Sequence, residues 1–303
     1  MARINPLAFA ANTIRNIPIH LTIFRLRLRN RFSRASIIGK GGPTLSLTTH
    51  GHRLKGVFLA IESIAHGSLK PSRLMLHLDV EDHVNNPLKT LQRLQRRGLE
   101  IHLSENLGPH TKIQPWVVNA PAFSTPHVVA DDDILYPRWW LERLNACFVS
   151  DPASVHAYRA HRMVVADDGM SLTAYDTWPP GLGKPSNLNF ATCVSGVLFP
   201  PTFLQLMRDV GQGFRETCPR NDDLWLTYLA IENEIPISQV AQESLHFDVI
   251  PGTQTTSLNA TNVFEGQNDQ QIKATFQPST LKRIVELERL EGYRINHPPL
   301  QTE

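Results

Sequence analysis

Cysteine is scarce in this 303-residue chain: only Cys147, Cys193 and Cys218 occur, with no C-x-x-C pair. An odd, scattered set excludes a disulfide framework and gives no structural zinc site, so a reducing compartment is the simplest setting. Long apolar runs are missing as well. No segment reaches the roughly 18 uninterrupted apolar residues of a membrane-spanning helix, which excludes a polytopic transporter. Acidic residues are absent from the first 61 positions, which hold ten Lys and Arg, whereas the remainder carries 20 basic against 28 acidic residues. The two parts therefore face different partners. No G-x-G-x-x-G follows the first predicted strand, which removes the main support for a nicotinamide or flavin dinucleotide fold. The segment Gly39-Lys40-Gly41-Gly42-Pro43-Thr44 precedes a strand instead of joining strand to helix, so it is not a phosphate-binding P-loop.

What remains is an ordinary globular composition, 41% hydrophobic and 19% charged, long enough for a substantial core. The first 35 residues interleave Arg3, Arg15, Arg25, Arg27, Arg29, Arg31 and Arg34 with large apolar side chains. Arginines interrupt every apolar stretch, unlike the pure apolar run of a secretory signal. Residues 1–42 read as a basic amphiphilic arm outside the fold. Attraction to an anionic leaflet is worth about 1 kcal/mol per basic residue near the surface, so the arm is expected to dock at the inner membrane face of an otherwise cytoplasmic protein. A solvated tail is the alternative. Nucleic acid is not an expected partner, because the remaining 242 residues are net acidic.

From Thr44 onward a βα rhythm appears. Predicted strands start near residues 45, 73, 99 and 127, and Leu54, Val57, Phe58, Ile61 and Ile64 fall on one helical face between the first two. That spacing suits βαβ units in a parallel sheet. Further on, the pattern predicts a helix over 139–148, a strand over 155–160, a Pro-, Gly- and Asn-rich loop over 176–189, and a strand over 193–199. A capped helix over 224–234, a polar loop over 251–271 and a closing helix over 281–290 complete the pattern.

Ligands of an open parallel sheet bind outside the carboxyl ends of its strands. Three polar clusters lie at such ends: Thr48-Thr49-His50-Gly51-His52-Arg53, Asp79-Val80-Glu81-Asp82 and Asp131-Asp132-Asp133. On an extended chain, positions two apart point the same way, so Asp131 and Asp133 are expected to face one point. Adjacent carboxylates with no thiolate beside them suit Mg²⁺ or Mn²⁺, which can neutralise a departing diphosphate. A surface turn or helix cap is the alternative reading of the triplet.

These pieces, in this order, resemble a known family. Leu45-Ser46-Leu47-Thr48-Thr49-His50-Gly51-His52-Arg53, Leu107-Gly108-Pro109-His110-Thr111-Lys112, Ala130-Asp131-Asp132-Asp133-Ile134-Leu135-Tyr136-Pro137, Ser195-Gly196-Val197-Leu198-Phe199-Pro200-Pro201 and Cys218-Pro219-Arg220-Asn221-Asp222-Asp223-Leu224-Trp225 resemble the family 2-type glycosyltransferases. Within that family the likeness is to a bacterial subgroup associated with cell-surface polysaccharides, and it spans residues 44 to about 275. It implies the α/β GT-A fold: a Rossmann-like, mainly parallel sheet with helices on both faces and a smaller mixed acceptor half. Residues 43–303 would form that domain, with 43–150 holding the nucleotide and 151–303 the acceptor. It also implies a D-x-D site at Asp131 and Asp133 for Mn²⁺ or Mg²⁺ and the sugar-nucleotide phosphates, nucleotide contacts from Thr48, Thr49 and Arg53, and acceptor-side groups near Asp222 and Asp223.

Other residues have expected roles. Lys112 is a point charge for a diphosphate, with a solvated lysine as the alternative; Asp79 is a hydrogen-bond acceptor for base or ribose, with a plain turn residue as the alternative; Asp132 completes the donor side. His246 is a third metal ligand, with a satisfied core histidine as the alternative. Trp178 and Gly196 belong to the acceptor side, with a core-building ring as the alternative for Trp178. Asp223 is the base that takes the acceptor's proton, and Asp222 is a helix cap or acceptor contact. The function expected is metal-dependent, inverting transfer of a sugar from a nucleoside-diphosphate donor, a UDP-sugar first, to a hydroxyl of a glycan or lipid-linked acceptor. A metal-dependent phosphoesterase or nucleotidyltransferase and a non-catalytic nucleotide-sugar sensor are the alternatives.

Overall fold

The computed structural model of the chain describes residues 6–253 and 267–296. Its centre is a seven-stranded sheet in the order β10-β6-β9-β4-β1-β2-β3. The strands are β1 (Thr44–Thr48), β2 (Arg73–Leu78), β3 (Leu99–Leu103), β4 (His127–Val129), β6 (Val155–Ala157), β9 (Val197–Phe199) and β10 (Ile237–Gln239). Strands β3, β2, β1 and β4 run parallel. Strand β9 lies antiparallel to β4 on one side and β6 on the other, and β10 runs parallel to β6. The sheet is thus mainly parallel, and it continues through both the expected nucleotide and acceptor halves. Two short antiparallel pairs flank it: β5 (Ile134–Leu135) with β11 (Asp248–Val249), and β7 (Ala160–Arg162) with β8 (Asn189–Ala191).

Both faces of the sheet are covered, and alternation along the strands divides them. Leu45, Leu47, Val128 and Leu198 enter one apolar core beside α2 (Val57–Ala65), α4 (Lys89–Gln95) and α6 (Trp140–Ser150). Val129, Val197 and Phe199 enter the other, beside α5 (Gln114–Asn119), α7 (Pro201–Val210) and α9 (Asp222–Glu232). The remaining helices are α1 (Pro6–Phe32), α3 (Glu81–Asn85), α8 (Phe214–Thr217), α10 (Gln267–Thr275) and α11 (Pro278–Asn296).

Three local expectations need adjustment. The strand expected over 155–160 is two strands, because the chain leaves the main sheet at Tyr158 and Arg159 and re-pairs as β7 with β8. The strand expected from Cys193 begins only at Val197, after a turn in which Ser195 and Gly196 take φ values of 75° and 101°. The polar loop expected over 251–271 ends in a helix from Gln267, and its 254–266 segment lies outside the described residues.

Part of the basic segment is not an arm outside the fold. Its residues 6–32 form helix α1, and the described face of that helix joins the core through Ile23 and Leu26. Asn30 is also buried and donates from Nδ2 to Glu62 Oε1 and to the Thr90 carbonyl, at 3.1 Å each. Glu62 is fully buried, and its other oxygen accepts from Arg97 Nη2 at 3.1 Å, so a buried ion pair is completed by a residue of α1. A buried carboxylate needs such partners to stay charged.

Candidate functional site

A cleft of about 600 Å³ opens at the carboxyl ends of β1, β2 and β4. The three predicted clusters converge there: Thr48, Thr49, Arg53, Asp79, Lys112, Asp131, Asp132 and Asp133 all line it. Asp222, Asp223 and His246 line it from the other half. These positions are far apart in the chain, and the strand ends collect them.

On the donor side, Thr48 Oγ1 donates to the His77 carbonyl at 3.0 Å, holding the end of β1 against β2. Asn106 Nδ2 donates to Asp79 Oδ2 at 2.6 Å. The aspartate triplet leaves β4 into a turn at Asp132 and Asp133 instead of continuing extended; Asp131 faces Lys112 and Asp133 faces Arg53. Asp132 is the anchored member. Thr49 Oγ1 donates to its Oδ2, and Arg53 Nη1 lies 3.0 Å from its Oδ1. The same guanidinium reaches Asp133 Oδ2 at 3.3 Å, while its Nε donates to the Thr253 carbonyl at 3.1 Å. The Asp131 amide donates to the Tyr136 hydroxyl at 2.7 Å, and the Ile250 amide donates to the Asp133 carbonyl at 2.7 Å, so the turn is clamped from both sides.

Burial pushes the Asp133 carboxyl up to about 6, and the charge of Asp131 adds to the rise although Arg53 opposes it. Crowded oxygen donors whose ionisation is disfavoured without a cation fit a hard divalent ion. All three aspartates already face cations of the cleft, Asp131 facing Lys112 and both Asp132 and Asp133 facing Arg53. His246 does not complete that set. Among the described residues, the group of three potential ligands lying within 4.8 Å of one another is Cys193, Asp222 and Asp223, and none joins His246 to Asp131 and Asp133. Burial lowers the His246 pKa, and the charge of Arg159 lowers it further, which sets this imidazole beside the acceptor half.

Lys112 connects the two halves. Its Nζ donates to Asp131 Oδ1 at 2.9 Å and lies 3.2 Å from Asp222 Oδ2. Burial disfavours its charge, but Asp131 and Asp222 outweigh that cost and hold the ammonium well above the ordinary lysine value. The expected diphosphate contact thus starts from a lysine already bridging two carboxylates.

The acceptor-side pair opens α9. Asn221 is the cap: its Oδ1 accepts from the Leu224 amide at 2.9 Å, and its Nδ2 donates to Asn268 Oδ1 at 2.8 Å. Asp222 is therefore not the cap that the sequence offers as one of its roles. It is buried against Lys112. Burial opposes its ionisation, yet the charge of Lys112, with His110 behind it, holds it below the usual carboxylate range. Asp223 differs from its neighbour. It is less buried, and its Oδ1 accepts from the Cys193 amide at 2.7 Å. Burial and the charge of Asp222 push it up to about 7. Two adjacent carboxylates with pKa values driven apart is the pattern expected of a base beside an electrostatic partner.

Two expected acceptor residues lie elsewhere. Trp178 is buried in the core against Tyr175 and Phe190, and its Nε1 donates to the Thr173 carbonyl at 3.1 Å. Gly196 does not line the cleft; a Cβ there would sit 2.5 Å from the Trp140 ring, so glycine is needed for packing and for its positive φ. Conversely, Arg159, Tyr175, Thr192 and Cys193 line the cleft with no signal in the sequence pattern. Arg159 falls in what reads as the end of a strand, and only the switch from β6 to β7 turns it toward the site.

No protein-family model matches the chain, and no curated protein sequence matches it. Solved structures do share its fold. The mannosyltransferase PcManGT from Pyrobaculum calidifontis, in complex with GDP-Man and Mn²⁺, superposes with a TM-score of 0.50 over 92% of this chain and 83% of that one, at 11% identity. S. aureus TarS 1-349 gives a TM-score of 0.46 over 86% of this chain and 75% of that one, at 12% identity. A CMP:2-keto-3-deoxy-manno-octonic acid synthetase complexed with CTP gives 0.41 over 75% of this chain and all of that one, also at 12% identity. At 11% identity the likeness to PcManGT is one of fold alone, and with the mainly parallel central sheet it makes the fold GT-A-like.

Proposed function

We propose that the chain transfers a sugar from a nucleoside-diphosphate sugar to a hydroxyl acceptor with inversion, in the building of a cell-surface polysaccharide. The observation that supports this reading is two acidic groups, one after β4 and one at the start of α9, lining a single cleft and joined by Lys112. Direct displacement at an anomeric carbon needs positive charge where the diphosphate leaves and a proton acceptor on the opposite face. On the leaving side, Asp131 and Asp133 would hold Mn²⁺ or Mg²⁺, which supplies neutralisation of the departing diphosphate. Lys112 adds a fixed charge there, while Thr48, Thr49, Arg53 and Asp79 line the donor end. On the other side, Asp223 takes the proton of the attacking hydroxyl. Asp222, held ionised by Lys112, keeps the Asp223 carboxyl basic enough to do so near neutrality.

Calorimetric titration with a panel of nucleoside-diphosphate sugars, with and without Mn²⁺, tests this reading. Mn²⁺-dependent binding in the wild type and its loss in Asp133→Asn are expected; equal binding with and without the ion would remove the metal from the account.

The place of action we infer is an anionic bilayer surface, with α1 as the contact. Leu21, Phe24, Leu28 and Phe32 are 42% to 72% exposed. At 100° per residue they form one stripe opposite the buried Ile23, Leu26 and Asn30, and the exposed Arg25, Arg27 and Arg31 flank it. An apolar stripe edged by cations, with no acidic residue on the helix, complements an anionic interface. Among the described residues no helix is long and apolar enough to cross a membrane.

A further inference from the structure

The charges of the cleft are largely paired within it. Arg53 meets Asp132 and Asp133, and Lys112 meets Asp131 and Asp222. Arg159 is different. Its Nη2 donates to His161 Nε2 at 3.0 Å, and among the described residues no carboxylate lies at ion-pair distance from it. Burial, with Arg159 itself as the second cause, lowers the His161 pKa to about 4, so this partner is a neutral imidazole near pH 7. The guanidinium is oriented without being neutralised.

Its position relative to the proposed base is fixed by the backbone. The Arg159 carbonyl accepts from the Thr192 amide at 3.0 Å, and the next residue, Cys193, donates its amide to Asp223 at 2.7 Å. Two consecutive residues thus tie Arg159 and Asp223 to the same short segment. Tyr175 lies within reach of the charges of both. Its ring packs edge-on against His161 at 5.6 Å between centroids, and it lines the cleft. Burial raises the Tyr175 phenol to about 12; the charge of Asp223 adds to this and that of Arg159 opposes it, so the phenol senses both. His246 lines the same cleft, its pKa lowered by burial and by the charge of Arg159.

A half-buried guanidinium without an anion is a costly arrangement that an incoming anion relieves. Its planar fork matches the two oxygens of a phosphate or carboxylate, and such bonds are about twice as strong as neutral ones. We propose that the acceptor carries an anionic group, a phosphate or a carboxylate, near the reacting hydroxyl, and that Arg159 seats this group so that the hydroxyl meets Asp223. The proposal rests on the transfer function and narrows its acceptor to a charged class.

Isothermal titration of the full chain, saturated with UDP and Mn²⁺ so that the diphosphate end is filled, tests it with three probes: glycerol 3-phosphate, glucuronate and uncharged glycerol. Charged probes are expected to bind at least tenfold more tightly than glycerol. The tighter of the two identifies phosphate or carboxylate as the source. Arg159→Gln is expected to lose at least tenfold in that affinity, and Arg159→Lys to recover part of it. Both variants should bind UDP and Mn²⁺ as the wild type does, which also reports that they fold. If UDP and Mn²⁺ bind normally but the probes show no charge preference, or if Arg159→Gln binds the charged probe as the wild type does, the acceptor assignment is overturned alone. If neither UDP nor any other nucleoside diphosphate binds with Mn²⁺, the transfer function falls, and the acceptor assignment with it.

Discussion

The amide of Cys193 donates a 2.7 Å hydrogen bond to Oδ1 of Asp223, fixing one carboxylate oxygen to the segment that leads into β9. Asp222, one residue earlier, is turned instead to Lys112 at 3.2 Å. Adjacent positions of a helix point about 100° apart, so the first turn of α9 presents its two carboxylates to different partners. The two carboxylates come from the same dipeptide, and the proposed reaction assigns the proton exchange to Asp223.

Replacing Asp223 by Asn keeps the oxygen that accepts from Cys193 and removes the proton acceptor. Turnover should fall by about 10² or more with donor affinity retained. Steady-state kinetics with donor binding measured in parallel checks this. If Asp222→Asn is the inactive variant and Asp223→Asn is not, the two roles are exchanged.

The pH profile follows from the raised pKa. Asp223 holds its proton up to about 7, so the ionised, active form appears only as pH rises through that value. The logarithm of kcat/KM should therefore climb with a slope near one below about 7 and level above it. A profile flat from pH 5 to 8 would contradict Asp223 as the base.

Lys112 reaches both Asp131 and Asp222, and removing it leaves two carboxylates short of a partner. Breaking a buried pair by deleting one member costs about 3 to 5 kcal/mol. Lys112→Met should lower the urea midpoint accordingly at unchanged m-value. A loss below about 1 kcal/mol would show that water or rearrangement replaces the bridge.

Helix α1 separates two roles by face. Phe24→Asp with Phe32→Asp should leave the thermal midpoint nearly unchanged and abolish binding to vesicles containing anionic lipid, because both side chains point outward. Ile23→Asp should instead destabilise the fold, since that position is in the core. Retained vesicle binding in the double variant would direct the exposed stripe to a protein partner or a second copy of this chain.

Much of the fold and part of the site are legible in the amino-acid sequence. The strands at 44–48, 73–78, 99–103 and 127–129 follow the spacing of apolar runs, and the aspartate triplet and Asn221-Asp222-Asp223 announce themselves as polar clusters at element ends. The features that the sequence hides depend on tertiary choice. Among the described residues of α1 the buried face is Ile23, Leu26 and Asn30, and the equally apolar outer stripe masks its period. Trp178 sits in a loop-like sequence, but burial of its ring against Tyr175 and Phe190 outweighs exposure at a cleft. Arg159 carries no local signal, because its direction is set by the chain switching sheets between β6 and β7.

Product analysis tests the central claim most directly. The wild type, with Mn²⁺ and a panel of nucleoside-diphosphate sugars and phosphorylated or carboxylated hydroxyl acceptors, should release nucleoside diphosphate in step with sugar appearing on the acceptor, with the anomeric configuration inverted by NMR. Asp133→Asn and Asp223→Asn should abolish both signals. Release of nucleoside monophosphate and a sugar phosphate, with nothing transferred, would contradict the account and assign the cleft to phosphoester hydrolysis.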